Sequence, residues 1–536
     1  MDGLAIDQLP DDPVVLKAQI AEHQRLAKSY QRKILRLEAE LAKMTEERRL
    51  DRARRFGASS EAGDHQANLF DEADVHDTEV ADNTDNDGAI IDDGDTVEIA
   101  AYSKRRPKRK PLPADLPRID LYHDLAEADK ICSCCGDGMT RIGEKTSEQI
   151  EVIPMQVYVN VHHRPTYSCS RCDESIKTAP LPPQPIPKSY ASPGLLAHVA
   201  TAKYADGLPL YRQSKQFERL GIDLPRNTLA SHMVKVGALI DPLIAALGDA
   251  IRCGGVVQMD ETPVQVLKEP GKVAQSQSYM WVMKGGPPDE SAVVYHYDPS
   301  RSQEVPKRLL GGYAGYLQTD GYAGYNGILA SPAVTGLGCW AHVRRKFMDA
   351  KKALPKSAQN KGNRVQQALA FIGKLYQLER AIQELEPRYK QQRRQADAIV
   401  ILDSFKTWLD KQSLPPKTLL GRAIAYTLAQ WPRLTIYLED GRLNIDNNLV
   451  ENAIRPFAIG RKNWLFSDTQ RGATASANLY SLIETAKINR LNDYAYLKYI
   501  FAELPGCQTD KDIERLLPWN VDRSIVQQQL VQPNNT

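Results

Sequence analysis

Three acidic residues, far apart in the chain, occupy settings typical of a divalent-metal site. Asp260 lies in the β-rich run GVVQMDETPVQVL, Asp320 ends AGYLQTD, and Glu451 lies in IDNNLVENAIRPFAIGRKNWLFS, residues 445–467. In-line cleavage of a phosphodiester calls for two Mg²⁺ ions about 3.5–4 Å apart, and such hard cations favour carboxylate oxygens. Without metal, clustered carboxylates repel one another and bind a proton more readily. The pattern predicts a catalytic site for Mg²⁺ or Mn²⁺.

Each of the three acids has an alternative explanation. Glu261 is acidic too and directly follows Asp260, and an aspartate before a glycine, as in Asp320–Gly321, commonly starts a turn. Glu484, in NLYSLIETAKINR, competes with Glu451. The order of the acids and the elements around them favour the site more strongly than any one residue does.

The polar segment around Glu451 is expected to form one face of a helix. The helical period places four polar side chains together, namely Asn448, Glu451, Asn452 and Arg455. The opposite face would hold Leu449, Val450, Ala453 and Ile454. Pro456 is expected to bend or end this helix. Arg461 and Lys462 follow and are candidates for phosphate contacts.

The order of the predicted strands and helices indicates how these acids come close together in the fold. From residue 255, three β-rich runs precede a short helix, a strand that ends at Asp320, a fifth strand and the helix WAHVRRKFMDAKKAL. This is the order of an RNase-H-like fold, in which acids occupy the first strand, the end of the fourth strand and a late helix.

Two C-x-x-C pairs predict a structural zinc site. The four ligands would be Cys132, Cys135, Cys169 and Cys172. Four thiolates from two such knuckles can surround one Zn²⁺ tetrahedrally, as in zinc ribbons, and the alternating residues between the pairs resemble strands. Cys134, His162 or His163 could substitute as ligands, and a cluster of buried cysteines is the alternative. The ion would stabilise the fold and take no part in catalysis.

Three helical patterns, at residues 193–206, 209–220 and 225–247, precede the β-rich region. Gly221 lies in the short turn between the second and third, as in a helix-turn-helix. The third pattern would present the DNA-contacting side chains, which are Arg226, Asn227 and Thr228, continued by Ser231, His232 and Lys235. A plain helical bundle with a solvated basic rim is the alternative.

Composition indicates a multidomain globular protein. The chain has 536 residues, 42% hydrophobic content and a net charge of +2, and this length favours several domains. Residues 71–98 contain no Lys or Arg, whereas residues 104–110 are KRRPKRK, so a disordered linker is expected there. No apolar run approaches the roughly 20 residues of a membrane span. We expect a cytoplasmic, nucleoid-associated protein without membrane contact.

Residues 14–55 resemble one long charged helix. A heptad fits it, with seam positions Ile20, Ala27, Ile34 and Leu41, and His23, Tyr30, Leu37 and Met44. A coiled-coil dimer is expected, although Ala27 and His23 are poor seam residues and a lone exposed helix is the alternative.

Taken with these motifs, the chain resembles the DDE transposases of the insertion sequence 66 family along nearly its whole length. The matching segments, besides the cysteine pairs, are RRFGASSE (54–61), KYADGLPLYRQ (203–213), QMDETP, QTDGYAGYN, GCWAHVRRKF, NNLVENAIRPFAIGRKNWLF and LYSLIETAK. Ala62 departs from the family, where lysine is frequent.

The resemblance implies that Asp260, Asp320 and Glu451 are catalytic, and that Glu484 is structural. It implies cleavage of element ends to a 3′-OH and direct attack of that group on target DNA. Arg345 and Lys346 beside the core, with Arg455, would contact DNA, and His342 would have a structural or phosphate role, with general-base catalysis as the alternative. The expected partners are element-end and target DNA, a second copy in a dimer or larger synaptic complex, and accessory proteins of the same element.

The predicted fold class is multidomain α+β. It comprises an N-terminal helical region (1–62), an acidic-then-basic linker (63–112), a zinc-ribbon-like domain (113–180), a helix-turn-helix region (188–250), an RNase-H-like core (251–350 and 436–495) with a helical insertion (351–435), and a C-terminal tail (496–536). Two other functions remain open: a catalytically silent DNA-binding repressor, and an RNase-H-like nuclease that cuts DNA without joining it.

Overall fold

The structure is a computed structural model that describes residues 13–56, 156–168, 176–355, 362–415 and 417–530, with the single positions Lys130, Cys134, Asp137, Gly138, Gln149 and Gln359. These residues fall into two compact units, one formed by those between 130 and 181 and the other by those in 13–56 and 182–530. The predicted linker (63–112) and all four predicted zinc ligands lie outside the described residues.

The smaller unit contains a short antiparallel pair, β1 (Thr166–Ser168) and β2 (Ile176–Thr178), in which Tyr167 is opposite Lys177. The prediction of strands is wrong for residues 156–165, which are exposed and lie outside regular structure. Alternation alone does not make a strand, because a strand also requires a partner for its backbone hydrogen bonds.

The N-terminal helix α1 (Pro13–Phe56) is present as predicted. Its seam residues Ile34 and Leu41 are exposed, so the coiled coil stays a prediction. The last turns are anchored to the body of the protein, where Leu50 is buried and Arg54 pairs with Asp349 at 2.6 Å.

Four helices precede the sheet: α2 (Pro193–Tyr204), α3 (Leu210–Arg219), α4 (Arg226–Leu239) and α5 (Asp241–Cys253). Gly221, between α3 and α4, has φ of +77°, a conformation that glycine adopts readily. The prediction of one helix over 225–247 is wrong, because the chain breaks at Ile240, where ψ is 2°. Pro242 explains the break, since a proline fits the first turn of a new helix better than a helix interior.

The central sheet has its strands in the predicted order, with one short helix, Asn326–Leu329, that was not predicted. Its strands are β3 (Val256–Lys268), β4 (Gln277–Gly285), β5 (Ala292–Asp298), β6 (Gly315–Gln318) and β7 (Val334–Leu337), with helices α6 (Glu304–Leu309) and α7 (Asn326–Leu329) between β5 and β7. The spatial order is β5-β4-β3-β6-β7. The pairs β3–β4 and β4–β5 are antiparallel, whereas β6 is parallel to both β3 and β7.

Helices then follow through residue 434. They are α8 (Trp340–Ala353), α9 (Arg364–Ala381), α10 (Pro387–Arg393), a π-helical turn (Arg394–Ala398), α11 (Ile399–Asp410) and α12 (Leu419–Leu434). They share a core of their own, in which Trp340, Phe347 and Phe405 are fully buried. Arg394 lies inside this layer, and both its Nε and its Nη2 donate to Glu379, at 2.9 and 2.6 Å.

The Glu451 helix is longer than predicted. α13 spans Asn448–Trp464 and passes through Pro456. Of the two outcomes expected at this proline, a bend or an end of the helix, the second is therefore wrong. Proline costs about 3 kcal/mol inside a helix, but Ile454 and Phe457, on either side of Pro456, are both buried. Their packing keeps the segment helical. Leu449, expected on the apolar face, is 44% exposed.

A short strand, β8 (Ser467–Thr469), pairs with β3 and leads into α14 (Gln470–Ile488), which packs on β5. Ser481 and Thr485 of this helix accept hydrogen bonds from the backbone of Tyr295 and Val293, at 2.8 and 3.0 Å, and so cover a sheet edge. The remaining helices are α15 (Asp493–Glu503), α16 (Asp510–Glu514) and α17 (Arg523–Gln528).

The turn before α13 leaves no room for a side chain at Gly441. A Cβ there would lie 1.7 Å from the carbonyl oxygen of Pro387. We expect Gly441→Ala to lower the melting temperature measurably, because overpacking costs about 1–3 kcal/mol. Gly373→Ala, in the middle of α9, is the control: apart from the helix's own adjacent backbone, a Cβ there would have no atom of the described residues within 4 Å, and alanine favours a helix by about 1 kcal/mol. Equal melting temperatures for the two variants in differential scanning calorimetry would contradict the prediction.

Candidate active site

The first two predicted acids are brought together by neighbouring strands. The parallel register pairs Gln258 of β3 with Gln318 of β6. Asp260 lies two residues further along β3, and Asp320 lies two residues beyond Gln318, just after β6 ends, so the two aspartates come from neighbouring parallel strands. Asp320 is oriented by its own turn, in which the backbone N–H of Tyr322 donates to Oδ1 at 2.8 Å.

Two buried glutamines hold the Glu451 helix against these strands. Nε2 of Gln258 donates to Oε1 of Gln318 at 2.7 Å and to the carbonyl of Asp446 at 3.1 Å. Oε1 of Gln258 accepts from the backbone N–H of Val450, in the first turn of α13, at 3.2 Å. Gln258, two residues before Asp260 on β3, therefore holds the first turn of α13, the helix that carries Glu451.

The segment that enters α13 is held by side chains from two other elements. The Tyr376 hydroxyl donates to Oδ2 of Asp446 at 2.7 Å. The Cys339 thiol donates to Oδ1 of Asn447 at 2.8 Å. Both acceptor residues are buried, so these bonds position the first turn of the helix in a setting where unpaired polar atoms would be costly.

The three carboxylates interact electrostatically. Burial raises the pKa of Asp260 well above its ordinary value, and the charges of Glu261, Asp320 and Glu451 raise it further. Burial also raises the pKa of Glu451, against the opposing effect of Arg345. Carboxylates close together repel one another and therefore bind a proton more readily. A nearby positive charge would relieve this repulsion in the metal-free cluster.

Arg345, on α8, supplies part of that positive charge, and the neutral His342 on the same helix helps to orient its guanidinium. Nη2 of Arg345 donates to Oε2 of Glu451 at 2.9 Å, and Nη1 donates to Nε2 of His342 at 3.0 Å. A guanidinium only donates, so Nε2 accepts and the neutral ring carries its proton on Nδ1. Burial, with Arg345 and Lys346 nearby, lowers the pKa of His342 to about 3, which keeps the ring neutral.

The residues present fit a divalent cation. Oε1 of Glu451 is buried and accepts no hydrogen bond from the described part of the chain, with Nδ1 of His342 3.5 Å away. Cys339, His342 and Glu451 also form a group whose candidate ligand atoms lie within 4.8 Å of one another. The thiol and Nε2 of that group are already engaged by Asn447 and Arg345, so the donors suited to a hard cation are the carboxylates.

Comparison with known protein families agrees with this geometry. Residues 188–475 match the family described as "Transposase IS66 family". The match spans both strands and the helix that carry the three acids, and it covers more than half of the chain.

This chain belongs to the IS66 transposase family.

Two relatives of this IS66 transposase come from Sinorhizobium fredii (strain NBRC 101917 / NGR234). "Uncharacterized protein y4jD" is 33% identical over 428 residues, which cover 76% of this chain and 81% of the relative. "Uncharacterized protein y4qI" is 31% identical over 444 residues, which cover 79% of this chain and 80% of the relative.

Further segments match other parts of IS66 transposases. Residues 129–173 match the zinc-finger binding domain of transposase IS66, residues 481–519 the IS66 C-terminal element, and residues 36–121 the "Transposase C of IS166 homeodomain". The predicted zinc ligands fall within the first match, so a zinc-binding domain belongs to this chain. Glu484, the competitor of Glu451, falls within the second match and pairs with Lys487 at 2.9 Å.

The predicted DNA-contacting residues of α4 lie at the surface of the IS66 transposase. Arg226, Asn227 and Lys235 are exposed, whereas Thr228 is half-buried. The prediction for His232 is wrong, because its side chain is buried and packs edge-on against Tyr190. The helical period separates His232 from the exposed stripe of Asn227, Ser231 and Lys235, which follow one another at intervals of four.

The other predicted DNA-contacting residues lie on α8 and on α13, the helix that carries Glu451. Nη2 of Arg455 donates to Oδ1 of Asn452 at 2.7 Å, and Nη1 of Arg461 contacts Oγ1 of Thr262 at 3.4 Å. Lys462 and Lys346 are exposed, with the Lys346 ammonium 4.3 Å from the centre of the Tyr426 ring. Arg345 instead lies inside the site, against Glu451.

Sequence reasoning missed several residues that shape the site. Gln258 and Gln318 are the clearest case, and both are detectable, since QMD and QTD repeat the pattern Q-x-D on neighbouring strands. The hydroxyl of Tyr426 donates to the carbonyl of Asp320 at 2.6 Å, although it lies in the helical segment after residue 350. Its contact depends on tertiary packing and has no local pattern.

No helix within the described residues is both long enough and apolar enough to cross a membrane.

Proposed function

We propose that this IS66 transposase cuts the ends of an insertion sequence to a 3′-OH and joins that end to target DNA by in-line transesterification. The observation that carries the proposal is the convergence of three acids whose charges interact: Asp260 on β3, Asp320 just after the neighbouring strand β6, and Glu451 on α13. These are the acids and the order expected of a DDE enzyme.

The topology supports an RNase-H-like catalytic core. Three antiparallel strands, β3 to β5, are extended on the other side of β3 by two parallel strands, β6 and β7. The first and fourth strands of this sheet are therefore neighbours and place Asp260 beside Asp320. The helices of residues 364–434 form the proposed insertion between the fifth strand and the Glu451 helix.

The three carboxylates would hold Mg²⁺ or Mn²⁺. When bound, such ions activate the attacking hydroxyl and stabilise the leaving oxygen. The chain itself orients the carboxylates through Gln258 and Gln318, and Arg345 neutralises part of Glu451. His342 is neutral and its Nε2 already accepts a hydrogen bond, which favours a structural role over general-base catalysis. Arg455, Arg461, Lys462 and Lys346 are proposed phosphate contacts around the site.

The remaining parts are proposed to handle DNA. Zn²⁺ on Cys132, Cys135, Cys169 and Cys172 would stabilise the small domain, and α3 and α4 would form a helix-turn-helix for the element ends. Two ends must be held together for joining, which favours a dimer or larger synaptic complex, with accessory proteins of the element as further candidates.

The test is an end-cleavage and strand-transfer assay with the DNA that flanks the gene, Mg²⁺ and the purified full chain. Joined products are expected. Cleavage that never leads to joining would favour the nuclease, and binding to the ends without any chemistry would favour the repressor. Adding the products of neighbouring genes to an inactive reaction distinguishes that repressor from a transposase that lacks a helper protein.

The exposed stripe of α4 gives a prediction for DNA affinity. We expect Lys235→Ala to weaken binding to all DNA sequences and to reduce the slope of log K against log salt by about 0.9, the value for one lost phosphate contact. Lys215→Ala is the control, since Lys215 is an exposed lysine on α3 that pairs with Glu218 at 2.7 Å. Fluorescence anisotropy at several salt concentrations measures both slopes, and equal slopes for the two variants would argue against DNA contact by α4.

A further inference from the structure

Glu261, the residue after Asp260, is the buried centre of a second group of polar contacts, the Glu261 cluster, formed by Glu261, Arg301, Tyr322 and Tyr325. The Glu261 side chain is 1% exposed. Nε and Nη2 of Arg301 both donate to its Oε1, at 2.8 and 2.6 Å. The Tyr325 hydroxyl donates to its Oε2 at 2.5 Å. Both carboxylate oxygens are engaged, so Glu261 is poorly placed to bind a metal.

The same cluster is attached to the turn that carries Asp320. The Tyr322 hydroxyl donates to the carbonyl of Arg301 at 2.9 Å, and the Arg301 guanidinium lies 3.8 Å from the centre of the Tyr322 ring. The backbone N–H of Tyr322 in turn donates to Oδ1 of Asp320. A continuous set of contacts therefore runs from the residue beside Asp260 to Asp320 itself.

We propose that the Glu261 cluster positions Asp320 against Asp260 and thereby sets the affinity of the site for a divalent cation. The inference rests on the proposed function, since it takes these two aspartates as the ligands. Asp320 follows β6 by two residues and precedes Gly321, whose φ is +86°, so the strand's ladder does not fix its side chain. Arg301, Tyr322 and Tyr325 are positioning residues, because they act through the turn and not on the substrate.

In Arg301→Gln, the direction of the change in cation affinity distinguishes a positioning role from a purely electrostatic one. Removing a positive charge near a cation site should tighten cation binding if charge alone matters. Loss of the contacts that hold Asp320 should weaken binding instead. We expect weaker binding, by about tenfold, the size of one lost hydrogen bond to a charged group.

Tyr325→Phe is the second variant. It keeps the ring volume and the local charge and removes only the hydroxyl that donates to Glu261, and we expect it to weaken binding in the same direction. Each variant has a matched control, an arginine or a tyrosine that bonds to a different buried acid. Arg308 pairs with Asp298 at 2.5 Å, and the Tyr297 hydroxyl donates to the buried Glu269 at 2.5 Å, yet neither contact reaches the Asp320 turn.

The experiment is a Mn²⁺ titration of the full-length, zinc-loaded protein, with free Mn²⁺ measured by electron paramagnetic resonance. Wild type, Arg301→Gln, Tyr325→Phe, Arg308→Gln, Tyr297→Phe and Asp260→Asn are compared, and melting temperatures are recorded for all of them. Weaker binding in Arg301→Gln and Tyr325→Phe, with wild-type affinity in both controls, supports the inference.

Two results would overturn the inference while leaving the proposed function intact. One is wild-type affinity in Tyr325→Phe, and the other is tighter binding in Arg301→Gln. If wild type binds no more Mn²⁺ than Asp260→Asn does, the carboxylate site itself is disproved, and the proposed function fails together with the inference.

Discussion

Asp260→Asn is expected to abolish end joining, with a loss of about 10³-fold or more. The estimate follows because metal ions contribute several kcal/mol of transition-state stabilisation, and each 1.36 kcal/mol is a factor of ten in rate. Asparagine keeps the size of the side chain but removes the charge that a hard cation requires. Asp320→Asn and Glu451→Gln are expected to behave alike, since the proposed site needs all three carboxylates.

The same substitution is expected to stabilise the metal-free protein at neutral pH. The folded-state pKa of Asp260 is raised by burial and by neighbouring acids, so the folded protein binds this proton more tightly than the unfolded chain does. Stability is therefore lost as pH rises from the unfolded pKa toward the raised folded pKa. Asp260→Asn cannot undergo that loss, so its melting temperature should exceed that of wild type at pH 7 and match it in acid.

The combination of lost activity and gained stability distinguishes a metal ligand from a structural residue. Strand transfer is measured in Mg²⁺, and melting is measured in chelator at pH 7 and in acid. Glu269→Gln is the control, because Glu269 is buried directly after the same strand but accepts hydrogen bonds from Tyr297, Ser278 and Gln470. Burial raises the pKa of Glu269, but these hydrogen bonds outweigh burial and hold the pKa below its ordinary value, so loss of the carboxylate should destabilise the protein. A destabilised Asp260→Asn would argue that this carboxylate is structural.

The sheet was largely predictable because its first three strands are runs rich in β-branched and aromatic residues bounded by turns, and the acids occur at recognisable points of the order of elements. The convergence of Asp260 and Asp320 follows once the first and fourth strands are neighbours, whereas Glu451 is brought to them by the packing of its helix. The helix boundaries were less predictable. Pro242 starts a new helix whereas Pro456 is carried inside one, and only the burial of Ile454 and Phe457 explains the second case.

The supporting residues of the site differ in how far sequence could reveal them. Gln258 and Gln318 repeat one spacing relative to their aspartates, so the pattern was available. Glu261 and Arg301 are 40 residues apart, and nothing local to either residue indicates their pairing. Such contacts follow from tertiary packing, which brings the turn after β5 against the middle of β3.

The zinc domain gives the second large prediction. Cys132→Ser is expected to lose the bound zinc and to unfold the domain, because structural zinc contributes about 10–16 kcal/mol in zinc-finger peptides. Serine is a poor ligand beside three thiolates. Zinc content per chain, measured by mass spectrometry, should fall sharply, and limited proteolysis should open new sites within residues 129–173, the segment matched by the zinc-finger family.

Cys134→Ser is the matched control, because Cys134 is exposed and lies between the two predicted ligands of the first pair. Retained zinc in this variant, with zinc lost in Cys132→Ser, would assign the site to the C-x-x-C pairs and exclude Cys134 as a substitute. The opposite result would move the ligand to Cys134. Because the described residues form two separate units, melting of the larger unit should stay unchanged in both variants. Chelation followed by Mg²⁺ alone should likewise refill the carboxylate site but leave residues 129–173 sensitive to protease, so the two metals can be told apart in one preparation.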